Sequence, residues 1–82
     1  MKPIFIRWWG DWENTHAVEV YESRQDELIV YYFHHHPAWC LSREEKVRGL
    51  QHVGQAMERM NVPETLRKWW KECLKKSGVD YA

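Results

Sequence analysis

Net charge is what this sequence most plainly lacks. Over 82 residues, twelve Lys and Arg balance twelve Asp and Glu. A formal charge of zero argues against indiscriminate binding to nucleic acid. Cysteine is scarce as well: Cys40 and Cys73 stand 33 positions apart, too few for a disulfide scaffold, which points to a reducing compartment such as the cytoplasm. No apolar run approaches the ~20 residues of a membrane-spanning helix. The N-terminal stretch MKPIFIRWWGDW has neither a clean apolar segment nor a small-residue cleavage site, so no signal peptide is expected. Ser-His-Asp, Gly-rich phosphate-loop, His-Glu-x-x-His and Cys-x-x-Cys patterns are all missing. With no catalytic residue to name and no cofactor motif, the expectation is a protein that is not an enzyme.

What is present is one domain's length of chain in two unlike halves. Residues 1–40 hold three basic and six acidic side chains and residues 41–82 nine and six, so the neutral total divides into −3 and +3. The first half is rich in Ile, Val, Tyr, Trp and Phe, which suit strands. The second is rich in Lys, Arg, Glu, Gln, Leu and Met, which suit helices.

Alternation predicts strands over about 3–9, 15–22 and 28–35, joined by the turn segments Gly10–Asn14 and Ser23–Glu27. Connections this short make antiparallel hairpins, and Pro37 is expected to end the third strand. Ser42-Arg43-Glu44-Glu45 reads as a capping box. Behind it Val47, Leu50, Val53 or Gly54, Met57 and Met60 form a helical stripe, giving a first helix over about 43–60. Asn61-Val62-Pro63 breaks it, and Pro63 opens a second over about 63–77, with Leu66, Trp69, Trp70, Cys73 and Leu74 facing inward and Ser77-Gly78-Val79 as a glycine cap. The predicted class is α+β, a three-stranded meander with two helices on one face, βββαα. Gly54 would be explained by close approach of the first helix to the sheet near Trp8 or Tyr32; Gly49 has no such reading.

Turns centred on Trp12 and Gln25 set the registers. They place the rows Ile4–Val20–Val30, Ile6–Val18–Tyr32 and Trp8–His16–His34 beneath the helices. Phe5, Arg7, Trp9, Ala17, Glu19, Tyr21, Ile29, Tyr31 and Phe33 are left on the opposite face. A solvent face is ordinarily polar; one with five aromatics reads as a contact surface, unless a loop folds over it or bulky strand formers simply sit half exposed. The candidate partner-binding residues are therefore Phe5, Arg7, Trp9, Tyr21, Tyr31 and Phe33, with Lys68, Lys71 and Lys75 on the outer side of the last helix.

Two further groups carry chemistry. His16, His34, His36 and Cys40 have zinc-ligand types but match no standard ligand spacing, so the favoured reading is no metal, with His16 and His34 hydrogen-bonded at the open end of the core and His35 and His36 in a polar loop. The basic last helix with its interleaved Trp69 and Trp70 has the makings of a phosphate contact, although cations near a helix C-terminus also complement its dipole.

In size, in the order of strands (Ile4–His35) before helices (Ser42–Ser77), and in the lack of a catalytic site, the chain resembles small phage-encoded inhibitors of the anti-CRISPR type. That resemblance implies a stoichiometric inhibitor of a bacterial defence complex, working in the host cytoplasm by binding another protein. Three alternatives stand beside it: a small nucleic-acid-binding accessory protein, a His/Cys zinc domain, and a surface that pairs two copies of the chain.

Overall fold

The computed structural model describes residues 2–24 and 26–78, and over these the order is ββββαα, one strand more than the sequence predicts. The strands are β1 (Lys2–Gly10), β2 (Thr15–Arg24), β3 (Glu27–His36) and β4 (Trp39–Arg48), in an antiparallel sheet of order β1-β2-β3-β4. A 3-10 turn (Leu50–His52) leads into α1 (Val53–Arg59), and α2 (Glu64–Lys76) follows. The α+β class and two helices on one side of an antiparallel sheet hold; the strand count does not. The contact that Val79 would add to a C-terminal cap lies outside the described residues, but Gly78 does take the left-handed conformation at φ 75°.

The segment expected to open the first helix is β4. Pro37 ends β3 as expected, but it does not end the sheet. With Ala38 it forms a two-residue turn, and the chain returns along β3 from His36↔Trp39 through Leu28↔Val47 to Glu27↔Arg48. Ser42 and Glu45 therefore sit mid-strand and form no capping box. Helix propensity is worth only tenths of a kcal/mol per residue and yields to tertiary context, and without β4 the apolar β3 would present an unpaired edge. Charges along Arg43–Lys46 are also what keeps an exposed edge strand from pairing further. Gly49 gains its explanation here: at φ 97° it takes a backbone conformation that L side chains rarely adopt, turning the strand into the helical layer, with its amide bonded to Asp26 O at 3.1 Å.

The β2–β3 register is as predicted, with Val20↔Val30, Val18↔Tyr32 and His16↔His34. The β1–β2 register is not. Asp11 Oδ1 accepts from the amides of Glu13 and Asn14 at 2.9 Å each, the Asp11 amide donates to Asn14 O at 3.1 Å, and Thr15 Oγ1 donates to Asp11 O at 2.7 Å. These bonds close an even, four-residue loop between paired Gly10 and Thr15, so pairing slips by one residue from a turn centred on Trp12. A bulge between Pro3 and Phe5 absorbs the difference, and only Lys2↔Glu22 and Pro3↔Tyr21 keep the expected alignment.

A one-residue slip exchanges the faces of a strand. Phe5, Arg7 and Trp9 thus join Val20, Val18 and His16 on the helix side, and Ile6 and Trp8 pair with Glu19 and Ala17 on the other. Burial of Phe5 favours this arrangement, because its ring meets Trp70 of α2 edge-on at 5.2 Å. The core gathers Phe5, Val18, Val20, Leu28, Val30, Tyr32 and Val47 from the sheet with Val53, Ala56, Met57, Met60, Val62, Leu66, Trp70 and Leu74 from the helical layer. The predicted stripe of α2 is correct, while that of the first helix survives only from Val53 onward. A Cβ added at Gly54 would meet nothing within 4 Å, so no close approach to the sheet explains that glycine.

Candidate binding surface

The helices are shorter than the sheet they cover. Ten-residue strands run about 33 Å, whereas α2, at thirteen residues, runs about 20 Å and α1 about 10 Å. Cover starts where β4 turns into the helices and reaches the row Arg7–Val18–Tyr32–Arg43. Arg59, ending α1, bonds Glu45 through both Nε and Nη2, one row short of it. The next row, Trp9–His16–His34–Leu41, and the final pair His36–Trp39 contain no fully buried residue. Trp9 is 42% exposed, Trp39 48%, and Trp12 in the adjoining loop 77%.

The rings on this bare end order one another. Trp9 stacks on His16 at 5.8 Å, His16 on His34 at 4.0 Å, and Trp39 meets His34 edge-on at 4.6 Å and stacks with His36 at 5.3 Å. The array thus crosses all four strands. Hydrogen bonds hold it: His16 Nδ1 and the Tyr32 hydroxyl lie 2.7 Å apart, His34 Nε2 and Asn14 Oδ1 3.0 Å apart, and the Ala38 amide donates to His36 Nδ1 at 3.1 Å. Burial, and secondly the neighbouring His34 charge, lower the His16 pKa. Burial raises that of the Tyr32 phenol, partly offset by the Arg43 guanidinium. Arg7 and Arg43 stand in the adjoining row on the two edge strands, with the Arg7 guanidinium over the Phe5 ring at 5.6 Å and its Nη1 donating to Ile6 O at 3.3 Å.

The predicted contact set is therefore divided. Phe5 is core. Arg7 and Trp9 lie at the bare end on the helix side. Tyr21, Tyr31 and Phe33 lie half-buried on the opposite face, which no helix covers among the described residues and on which Ile6 and Trp8 are 47% and 68% exposed. There Tyr21 donates to Glu19 Oε1 at 2.5 Å, Tyr31 meets Tyr21 edge-on at 5.7 Å and stacks with Phe33 at 6.2 Å. Ile29, on that same face, is only 6% exposed. The bond to Glu19, ahead of burial, raises the Tyr21 pKa. Lys68, Lys71 and Lys75 are all exposed on α2, and Lys68 pairs with Glu64 at 3.7 Å.

The zinc constellation is also split. His16, His34 and His36 share the helix side, but Cys40 pairs with His35 on the other face, and among the described residues no group of three or more His, Cys, Asp and Glu is placed to hold a metal ion. Both cysteines are free.

The residues that sequence reasoning missed are Trp39, Leu41 and Arg43, because the chain after Pro37 was read as loop and helix. A usable signal was there: folding the sequence about Pro37-Ala38 sets Val47 opposite Leu28 and Leu41 opposite His34. Among the described residues no helix is long and apolar enough to cross a membrane. No family model, curated protein or solved structure matches this chain.

Proposed function

We propose that the protein is a stoichiometric binding module that works without catalysis by occupying a surface of another macromolecule, and that the bare end of its sheet is the contact surface. One observation carries the reading: an ordered array of Trp9, His16, His34 and Trp39 spans four strands and is left outside the helical layer. Tryptophan, tyrosine and arginine are the residue types that dominate binding energy at interfaces, and a contiguous exposed apolar patch is the usual mark of one. The finer form of the proposal follows the resemblance to small phage-encoded inhibitors of bacterial defence complexes, which is a way of acting by surface alone.

The test compares three tagged proteins in a bacterial lysate: wild type, the pair Trp9→Ala/Trp39→Ala, and the pair Tyr21→Ala/Tyr31→Ala. A macromolecule retained near one-to-one by wild type and by the Tyr21/Tyr31 pair, and lost by the Trp9/Trp39 pair, is the expected result. Retention by the Trp9/Trp39 pair with loss by the other overturns the assignment.

A further inference from the structure

The chemistry of the bare end differs from that of an ordinary protein-binding patch. Its apolar groups are nearly all flat rings: Trp9, Trp39 and Trp12, with the imidazoles between them. Trp9 stands on edge strand β1, stacked on His16 on the β2 side and 42% exposed. On edge strand β4, Trp39 engages His34 and His36 and is still half exposed. The array thus ends at both sheet edges in a tryptophan with open surface.

The fixed charges bordering it are cationic. Arg7 and Arg43 occupy the two ends of the adjacent row, one at each edge. The nearby carboxylates are largely engaged: Asp11 accepts from two turn amides, and Glu45 is bonded by Arg59. Glu72 lines the groove beside Arg7 together with Lys76, and Glu13 is exposed in the loop. Flat rings that accept any base by stacking, between cations spaced along the same surface, are what single-stranded nucleic acid requires of a protein. A strand sheet with exposed rings is one established way to offer them. Duplex DNA stacks its bases internally and offers no free ring faces.

We infer that the bare end binds single-stranded nucleic acid, with bases stacked against Trp9 and Trp39 and phosphates held by Arg7 and Arg43. The inference rests on the binding-surface reading above and specifies its ligand. Two phosphate contacts are few, consistent with a neutral protein whose affinity comes mainly from stacking. Binding to a single strand changes with salt by about −0.7 per phosphate neutralised in a plot of log affinity against log salt, so a slope of about −1.4 is expected.

The probe is a labelled twelve-nucleotide oligo-dT or oligo-U, followed by fluorescence anisotropy at 50–200 mM salt, with each variant's fold checked by circular dichroism. Wild type is expected to bind, with the duplex of the same length at least tenfold weaker. Trp9→Ala and Trp39→Ala should each weaken binding about fivefold or more. Arg43→Gln should reduce the salt slope by about 0.7, and Lys68→Gln should leave affinity unchanged. No binding at 100 μM protein, equal binding of the duplex, or loss of binding through Lys68→Gln but not Trp9→Ala overturns the inference. The binding-surface reading fails separately. If no oligonucleotide binds, yet a nuclease-resistant protein partner is retained by wild type and lost by the Trp9/Trp39 pair, the surface stands and its ligand is a protein.

Discussion

One face of one sheet is built in two ways. Toward the Asp26–Gly49 end, Val18, Val20, Leu28, Val30 and Val47 lie under two helices, and their side chains are aliphatic and interlocked with Met57, Leu66 and Trp70. Toward the Trp12 and Pro37 loops the same strands carry imidazole and indole rings that touch one another across the strands, beyond the reach of α1 and α2. The contrast teaches how a small domain separates buried from accessible groups on one sheet face. The aliphatic half supplies burial, at about 25 cal/mol per Å² of apolar area. The ring half keeps its groups ordered through hydrogen bonds and stacking while leaving them accessible.

If that division is right, substitutions in the two halves must differ sharply in cost. The largest effect is expected at Trp70, 2% exposed and packed on Phe5: Trp70→Ala should cost about 3–5 kcal/mol in urea unfolding. Trp70→Phe should cost far less, because the Trp70 Nε1–H is buried with no acceptor among the described residues, and removing an unsatisfied donor recovers part of the lost packing. Equal losses for the two variants would mean that neither the phenyl ring's packing nor removal of the buried donor recovers any stability.

Next comes the loop that sets the β1 register. At Gly10, φ is 118° and an added Cβ would fall 2.0 Å from Asn14 O, so Gly10→Ala should cost about 2 kcal/mol. Amide exchange should show the loss concentrated in β1 and β2. A cost below about 0.5 kcal/mol would show that the loop is not what holds the alignment.

Smaller still, Trp39→Ala should change stability by less than about 1 kcal/mol, since half of the ring is already in water. A loss approaching that of Trp70→Ala would erase the distinction between the two halves.

The smallest effect sharpens the comparison through pH. Burial, ahead of the neighbouring His34 charge, lowers the His16 pKa below the ordinary histidine value of about 6.5, so the folded state prefers the neutral ring and the unfolded state binds more protons. Stability from this group is complete above pH 6.5 and declines as pH falls below it. The melting temperature of wild type should therefore drop between pH 7.5 and 5.5, and drop less in His16→Asn. An identical pH profile for the two proteins would remove His16 as the source.

How far the fold could be read in advance varies by element. The β2–β3 hairpin was legible because its turn and the pairing of Val18 and Val20 with Tyr32 and Val30 agree on one register, and α2 because its apolar stripe has clean helical spacing. β1 was assigned as a strand but its faces were exchanged: Pro3–Trp9 is apolar at nearly every position, so its alternation cannot choose a side, and the choice passed to Asp11's bonds in the neighbouring loop. β4 was misread because Ser42–Glu45 satisfies a helix-start pattern on its own, and its pairing to β3 is a non-local fact. The candidate surface suffered from both errors. Arg7 and Trp9 were named with the wrong companions, and Trp39 and Arg43 were not named.

Composition and periodicity alone thus determined the α+β class, the strand-then-helix order and the presence of more aromatic side chains than a small core can absorb, because these depend on residue type and local spacing. Which aromatics are core and which are surface was decided only when the chain closed on itself. A single residue gained in the Asp11–Asn14 loop sends the side chains of β1 from Phe5 to Trp9 to the other face, and the lengths of α1 and α2 against ten-residue strands determine where the cover stops.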